Sequence, residues 1–188
     1  ESPSGALRYC SFNTRTIRML YHQLYFPACI PIIHGWYDGF WIYRQKVIKT
    51  GRGQNLYYAY LTKYNAFVGL KANIEGSPIL PHGLNGIHIS DAAIIGKNCI
   101  IMQQVTIGSN TLKDSKHFGS PIIGNNVFIG AGAKIIGNVH IGNNCRIGAN
   151  CIVVKDMPDN STAILKNIDI IIYNTPRDNS YRGINLSI

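Results

Sequence analysis

Charge is scarce in this chain, and acidic charge is scarcest: 14% of its 188 residues are charged, with 9 Asp+Glu against 18 Lys+Arg. An average globular chain carries roughly 25% charged residues, yet 46% of these residues are hydrophobic, which rules out a disordered polyelectrolyte. The 19 glycines follow no collagen period. The five cysteines, Cys10, Cys29, Cys99, Cys145 and Cys151, include no C-x-x-C pair and are odd in number, which argues against a disulfide framework or a thiolate zinc site and for a reducing compartment. No long apolar run is present: the stretch 17–33 is interrupted by Arg18, His22, Pro27 and Pro31, short of the ~20 residues of a spanning helix. No secretory pattern stands at the start, where the first residue is Glu1, and a cytoplasmic location is expected. Walker and Rossmann glycine patterns and nucleic-acid-binding motifs are also missing.

What the chain does have is a formal charge of +9, which points to a negatively charged partner. The excess is uneven. Through residue 73 there are nine basic and two acidic residues, whereas the remainder has nine and seven. Fifteen of the nineteen aromatics also lie at or before Phe67. Two regions of different composition imply two different jobs.

From Ile89 an aliphatic residue recurs at every sixth position: Ile89, Ile95, Ile101 and Ile107, then Ile123, Ile129, Ile135, Ile141, Ile147 and Val153. Four residues after most of them comes a small or branched one, such as Ala93, Cys99, Val105, Ala133 or Cys145. Glycine follows the aliphatic at Gly96, Gly108, Gly124, Gly130, Gly142 and Gly148, where a tight corner is expected to need a residue without a Cβ. This period is the hexapeptide signature of a parallel β-helix. Each hexapeptide makes one short strand and one corner, and three make a coil. The cysteines at 99, 145 and 151 are then core residues. The register breaks once, between Ile107 and Ile123, where the polar stretch SNTLKDSKHFGS at 109–120 is thrown out as a loop. Function collects on such loops.

The expected organisation is therefore an all-β core with three parts. Residues 1–66 form an aromatic, basic, mostly helical or irregular cap; residues 67–163 form the β-helix, with an extruded loop at 109–121; residues 164–188 form a terminal strand and tail. Before Ile89 the period looks looser, with a turn at 83–86.

The segments LPHGLNGIHISD (80–91), QVTIG (104–108), IGAGAKIIG (129–137) and IGANCIVVKDMP (147–158), together with the histidine-bearing loop, resemble the serine acetyltransferase family. More broadly, they resemble the hexapeptide acyltransferases with a left-handed parallel β-helix. The resemblance covers residues 67–163. It implies acetyl-CoA as acetyl donor, no metal, and a homotrimer with active sites in the clefts between subunits. It places His82 as the general base and His117 as a second active-site histidine. It also implies cofactor contacts at Ala131, Lys134, Ala149, Val154 and Lys155, and an acceptor contact at Lys116. The chemistry is coherent, since transfer from a thioester to a hydroxyl needs a base that titrates near neutrality. His88 and His140 precede aliphatic-column residues and are expected to point outward.

Departures from the family pattern shape the expected substrate. Phe67 stands where the family has an Asp one coil before the histidine, Pro81 replaces the Asp directly before it, and Lys116 replaces the loop Arg. AILKN at 163–167 stands where a Pro-Ala-Arg element is usual. Glu75, Asn65, Tyr64 or a backbone carbonyl is left to orient His82. The expectation is an O-acetyltransferase acting on a sugar hydroxyl of a capsule or other cell-surface polysaccharide or its precursor. Its basic, aromatic cap would face an acidic glycan or glycolipid at the inner face of the membrane. The alternatives are a serine O-acetyltransferase of cysteine biosynthesis, a zinc-dependent hydratase for which no converging histidine trio is visible, and a non-enzymatic scaffold.

Overall fold

In the computed structural model, residues 39–165 and Thr175 are described. The expected terminal strand beyond Leu165, the tail, and the histidines and aromatics before Gly39 lie outside the described residues.

Among the described residues, thirteen strands of two or three residues form three parallel sheets. Face A stacks β1 (Phe67–Val68), β3 (His88–Ile89), β6 (Thr106–Gly108), β9 (Lys134–Ile136) and β12 (Ile152–Val153). Face B stacks β2 (Asn73–Ile74), β4 (Ile94–Ile95), β7 (Ile122–Ile123) and β10 (His140–Ile141). Face C stacks β5 (Ile100–Ile101), β8 (Phe128–Ile129), β11 (Arg146–Ile147) and β13 (Thr162–Ala163). The chain visits A, B and C in turn, which makes a triangular left-handed parallel β-helix.

The period of six arises because the second residue of each strand points inward. Ile89, Ile95, Ile101, Ile107, Ile129, Ile135 and Ile147 are completely buried, and Ala93, Cys99, Val105, Ala133 and Cys145 fill the space beside them. Each such isoleucine contributes about 1.5–3 kcal/mol by leaving water. His88 and His140, one residue earlier, are exposed as expected.

The coil length varies in two places that matter. Phe67 pairs with His88 and His88 with Thr106, so the first coil takes 21 residues where the second takes 18. Val68, Ile74 and Leu80 already keep the period of six, and the bridge of Ile79 to Ile100 completes the coil on face C. The apparent looseness before Ile89 is thus a regular coil followed by a three-residue insertion, and His82 sits in that insertion. The second enlargement is the loop after β6. Its neck is closed by Asn110 and Gly119 at 2.8 and 3.0 Å, and by the Ser109 and Ser120 hydroxyls at 2.7 Å.

The glycines stand where a Cβ has no room, as expected, but the reason is the neighbouring coil and not a left-handed corner. Gly96, Gly108, Gly124, Gly130, Gly142 and Gly148 are not among the residues of positive φ. The space between coils excludes a side chain at four of them: an added Cβ would lie 2.6 Å from Gly124 O at Gly96, 2.9 Å from Gly142 C at Gly124, 2.7 Å from Ala149 N at Gly130, and 2.5 Å from Asp159 N at Gly142. From the second coil on, the left-handed residues at the B–C edge are asparagines instead: Asn98, Asn126, Asn144 and Asn160 have φ of 55–59°. Asparagine tolerates this region because its short amide bonds locally. Here each amide donates to the next one down the stack, at 3.2, 3.1 and 3.0 Å.

Helices α1 (Gly39–Thr50) and α2 (Gln54–Lys63) cover the first coil. Phe40, Trp41, Tyr43, Tyr57 and Tyr60 are buried among them, with Phe40 stacked on Tyr57 at 5.7 Å. Three side chains donate to the carbonyls that the coil turns toward the cap. Trp41 Nε1 reaches Pro78 O at 3.0 Å, Tyr57 Oη reaches Val68 O at 2.7 Å, and Arg44 Nη2 reaches Gly69 O and Ala72 O at 2.9 and 2.6 Å. Burial lowers the Arg44 pKa and raises that of Tyr57.

Candidate functional site

The C–A edge carries a continuous backbone ladder. Gly86 N donates to Tyr64 O, Gln104 N to Asn85 O, Gly132 N to Gln103 O and Asn150 N to Ala131 O, at 2.8–3.0 Å. One left-handed residue per coil makes this possible: Asn65, Gly86, Gln104, Gly132 and Asn150 have φ of 47–72°. The His82 turn is the upper part of this edge. It is held internally by Gly83 N on Leu80 O at 2.9 Å and by Asn85 Nδ2 on His82 O at 2.8 Å. The His82 ring is exposed, and among the described residues no side chain bonds to it. His88, six residues on, has Nδ1 3.2 Å from Gly86 O.

Below the turn, in order, come Gln103 and Gln104, then Ala131 and Gly132, then Ala149 and Asn150. The ladder thus places His82, Ala131 and Ala149 on one line. Lys134 starts on face A and reaches back to it, with Nζ donating to Gln104 O at 2.7 Å and Gly132 O at 2.8 Å. The part played by Gln103 and Gln104 was not legible in the sequence, because a left-handed glutamine has no propensity signature. Gln103 Oε1 is buried with no partner among the described residues.

His117, Lys116, Val154 and Lys155 lie on the other border of face A, the A–B edge. His117 O accepts from Asn138 N at 2.9 Å, and an added Cβ on Gly137 would lie 2.6 Å from that same oxygen. Ser115 organises the loop from within, its hydroxyl accepting from Asn110 Nδ2 at 2.8 Å and from His117 N at 3.2 Å. The His117 ring, Lys116, Val154 and Lys155 are exposed. A single chain therefore distributes the candidate residues over two edges and does not bring His82 and His117 to the same one. Among the described residues, cavities lie elsewhere: one of ≈ 770 Å³ at the α1–α2 junction, lined by Lys46, Arg52 and Gln54, and one of ≈ 480 Å³ on face C, lined by Phe128 and Arg146. Lys155 lines a third, of ≈ 360 Å³, at the last coil. Among the described residues no group of three metal-ligating side chains converges, and no helix is long and apolar enough to cross a membrane.

Coiled faces and edge ladders of this kind define a hexapeptide-repeat protein, and residues 120–155 match the family described as "Bacterial transferase hexapeptide (six repeats)". The chain is 36% identical over 124 residues to the serine acetyltransferase of Synechococcus elongatus, covering 66% of this chain and 49% of that protein. It is 35% identical over 123 residues to the serine acetyltransferase of Staphylococcus aureus, covering 65% and 55%. Among solved structures it is similar to Entamoeba histolytica serine acetyltransferase 1 in complex with L-cysteine, with a TM-score of 0.52 and 32% identity over 59% of this chain and 43% of that one. It is also similar to Neisseria gonorrhoeae serine acetyltransferase, with a TM-score of 0.58 and 27% identity over 80% and 62%. The chain spans about half the length of the curated relatives it matches.

These likenesses overturn the polysaccharide expectation, because the relatives and structures named above are serine acetyltransferases. The cap points the same way. Its described aromatics are largely buried against one another and against the first coil, and Arg44 is spent on backbone carbonyls. The buried aromatics and Arg44 are therefore not available to stack on or pair with a glycan.

Proposed function

We propose that this chain is an acetyl-CoA-dependent O-acetyltransferase whose acceptor is the hydroxyl of L-serine. The observation that carries the reading is the placement of His82 at the head of the C–A edge ladder, within a β-helix 36% identical to a serine acetyltransferase. His82 takes the proton as the hydroxyl oxygen attacks the thioester carbon. The C–O bond forms, the C–S bond breaks, and the departing thiolate takes the proton back.

The pantetheine arm runs down the edge past Ala131 and Ala149, whose small side chains leave the backbone accessible, and Val154 meets it from the A–B edge of the facing subunit. The exposed Lys155 meets the phosphates, and Lys116 on the loop supplies a cation for the serine carboxylate. Because His82 and His117 occupy different edges, the complete site forms where the C–A edge of one subunit faces the A–B edge of the next. A cyclic trimer closes this heterologous contact. The enzyme works in the cytoplasm.

Release of free thiol from acetyl-CoA, measured with and without L-serine, tests the reading. Serine-dependent release at turnover numbers of about 1 s⁻¹ or more is expected. Acetyl transfer to other hydroxyl acceptors but not to serine would overturn the assignment of the acceptor.

A further inference from the structure

Lys134 opens β9 on face A, and its ammonium turns back over the C–A edge instead of running straight out. It is fastened to two successive turns of the C–A edge, through Gln104 O at 2.7 Å and Gly132 O at 2.8 Å. The Gln104 turn is hydrogen-bonded directly to the turn above it, from Gln104 N to Asn85 O at 2.8 Å, and Asn85 in turn holds His82 O. Successive coils are about 4.8 Å apart, so the ammonium lies one to two coils below the histidine, on the line the pantetheine arm follows. An ammonium has three N–H donors. Two are used, and the third has no partner among the described residues.

We propose that this third N–H of Lys134 donates to the thioester carbonyl oxygen and stabilises its charge in the transition state. The inference rests on the acetyl-transfer reading above. As the hydroxyl oxygen adds to the carbonyl carbon and its proton passes to His82, the carbonyl electron pair moves onto oxygen. That oxyanion meets a cation already held in place by two carbonyls, so little reorganisation is needed during the reaction. Return of the pair expels the thiolate, which takes the proton from His82. Lys134 neither gains nor loses a proton. This role differs from that of a phosphate ligand, the other cofactor contact open to a lysine. Lys155 is free for phosphate; Lys134 is tied beside the chemistry.

Two donors separate these roles: acetyl-CoA, and S-acetyl-N-acetylcysteamine, which keeps the thioester and its neighbouring amide but has no phosphate. Lys134→Met should lower kcat/KM by about 100-fold or more with both donors, chiefly through kcat, while the melting temperature stays within a few degrees of wild type. A loss confined to acetyl-CoA and expressed in KM would overturn the proposal in favour of phosphate binding. Activity within about threefold of wild type on both donors would overturn it outright. If Lys134→Met does not fold, Lys134→Arg retains the charge and donors for the carbonyls, and the same comparison applies: an equal loss on both donors supports the proposal, and a loss on acetyl-CoA alone refutes it. If the wild-type protein transfers acetyl from neither donor, the acetyl-transfer reading itself fails.

Discussion

Arg44 of the first helix donates to the carbonyl of Ala72 at 2.6 Å and to that of Gly69 at 2.9 Å, and it is almost completely buried while doing so. A β-helix ends in a layer of strand and corner carbonyls that no further coil covers, and a planar guanidinium can serve two of them from one position. Replacing Arg44 with Met would keep the packing volume and leave those acceptors dry. The expected loss is about 3 kcal/mol, read as a fall in melting temperature of about 10 °C. A variant that melts with the wild type would show that the cap is held by its aromatics alone.

The asparagine column makes a prediction that separates backbone strain from hydrogen bonding. Asn126 has a φ of 57° and bonds both to Asn98 above and to Asn144 below. Asn126→Gly loses only the side-chain bonds, at a cost of about 1 kcal/mol. Asn126→Ala loses the same bonds and must hold a Cβ in the left-handed region, which adds about 1–2 kcal/mol. Chemical denaturation of the two variants should rank Gly above Ala. The reverse order would mean that the corner relaxes without cost.

Gly130→Ala tests how closely the coils are stacked. Its φ is not in the left-handed region, but the new Cβ would lie 2.7 Å from Ala149 N. Forcing the coils apart costs about 1–3 kcal/mol. The substitution also widens the edge at Ala149, so the KM for acetyl-CoA should rise together with the loss of stability. A stable variant with an unchanged KM would separate this edge from the path of the cofactor.

The distribution of histidines over two edges predicts complementation. His82→Ala should lower turnover by about 10²–10⁴-fold, the range for loss of a general base, and His117→Ala should also be impaired. Co-expressed in equal amounts, the two variants would mix in one trimer. About a quarter of the clefts would then pair an intact His82 edge with an intact His117 edge, as a cyclic arrangement requires. Thiol-release activity well above that of either variant alone is expected. No recovery in confirmed mixed trimers would place both histidines in a site served by one subunit.

Reading the period of six was enough to recover the fold, since every fully buried isoleucine of the solenoid from Ile89 onward lies in the column it defines. It also located the three core cysteines. The first coil was misread as irregular because the His82 insertion shifts the register by three, so Val68, Ile74 and Leu80 look out of step with Ile89. The corner glycines follow from the need for a residue without a Cβ, and at Gly96, Gly124, Gly130 and Gly142 it is the close stacking of the coils that sets that need. At the B–C edge the left-handed conformation falls from the second coil on to asparagines, and their spacing from Asn98 to Asn126 hides the column behind the inserted loop.

What the amino-acid sequence determined by itself was the repetitive part of this protein. A hexapeptide with one inward aliphatic side chain can bury that side chain only by stacking, so period alone specifies coil, faces and core. What the tertiary structure decided was the site. Which edge a residue occupies depends on the running sum of coil lengths, and two insertions of different size send His82 to one border of face A and His117 to the other. Lys134 shows the same limit: the sequence identifies a lysine on an outward strand, but only the stacked turns bring two carbonyls from different coils within reach of its ammonium.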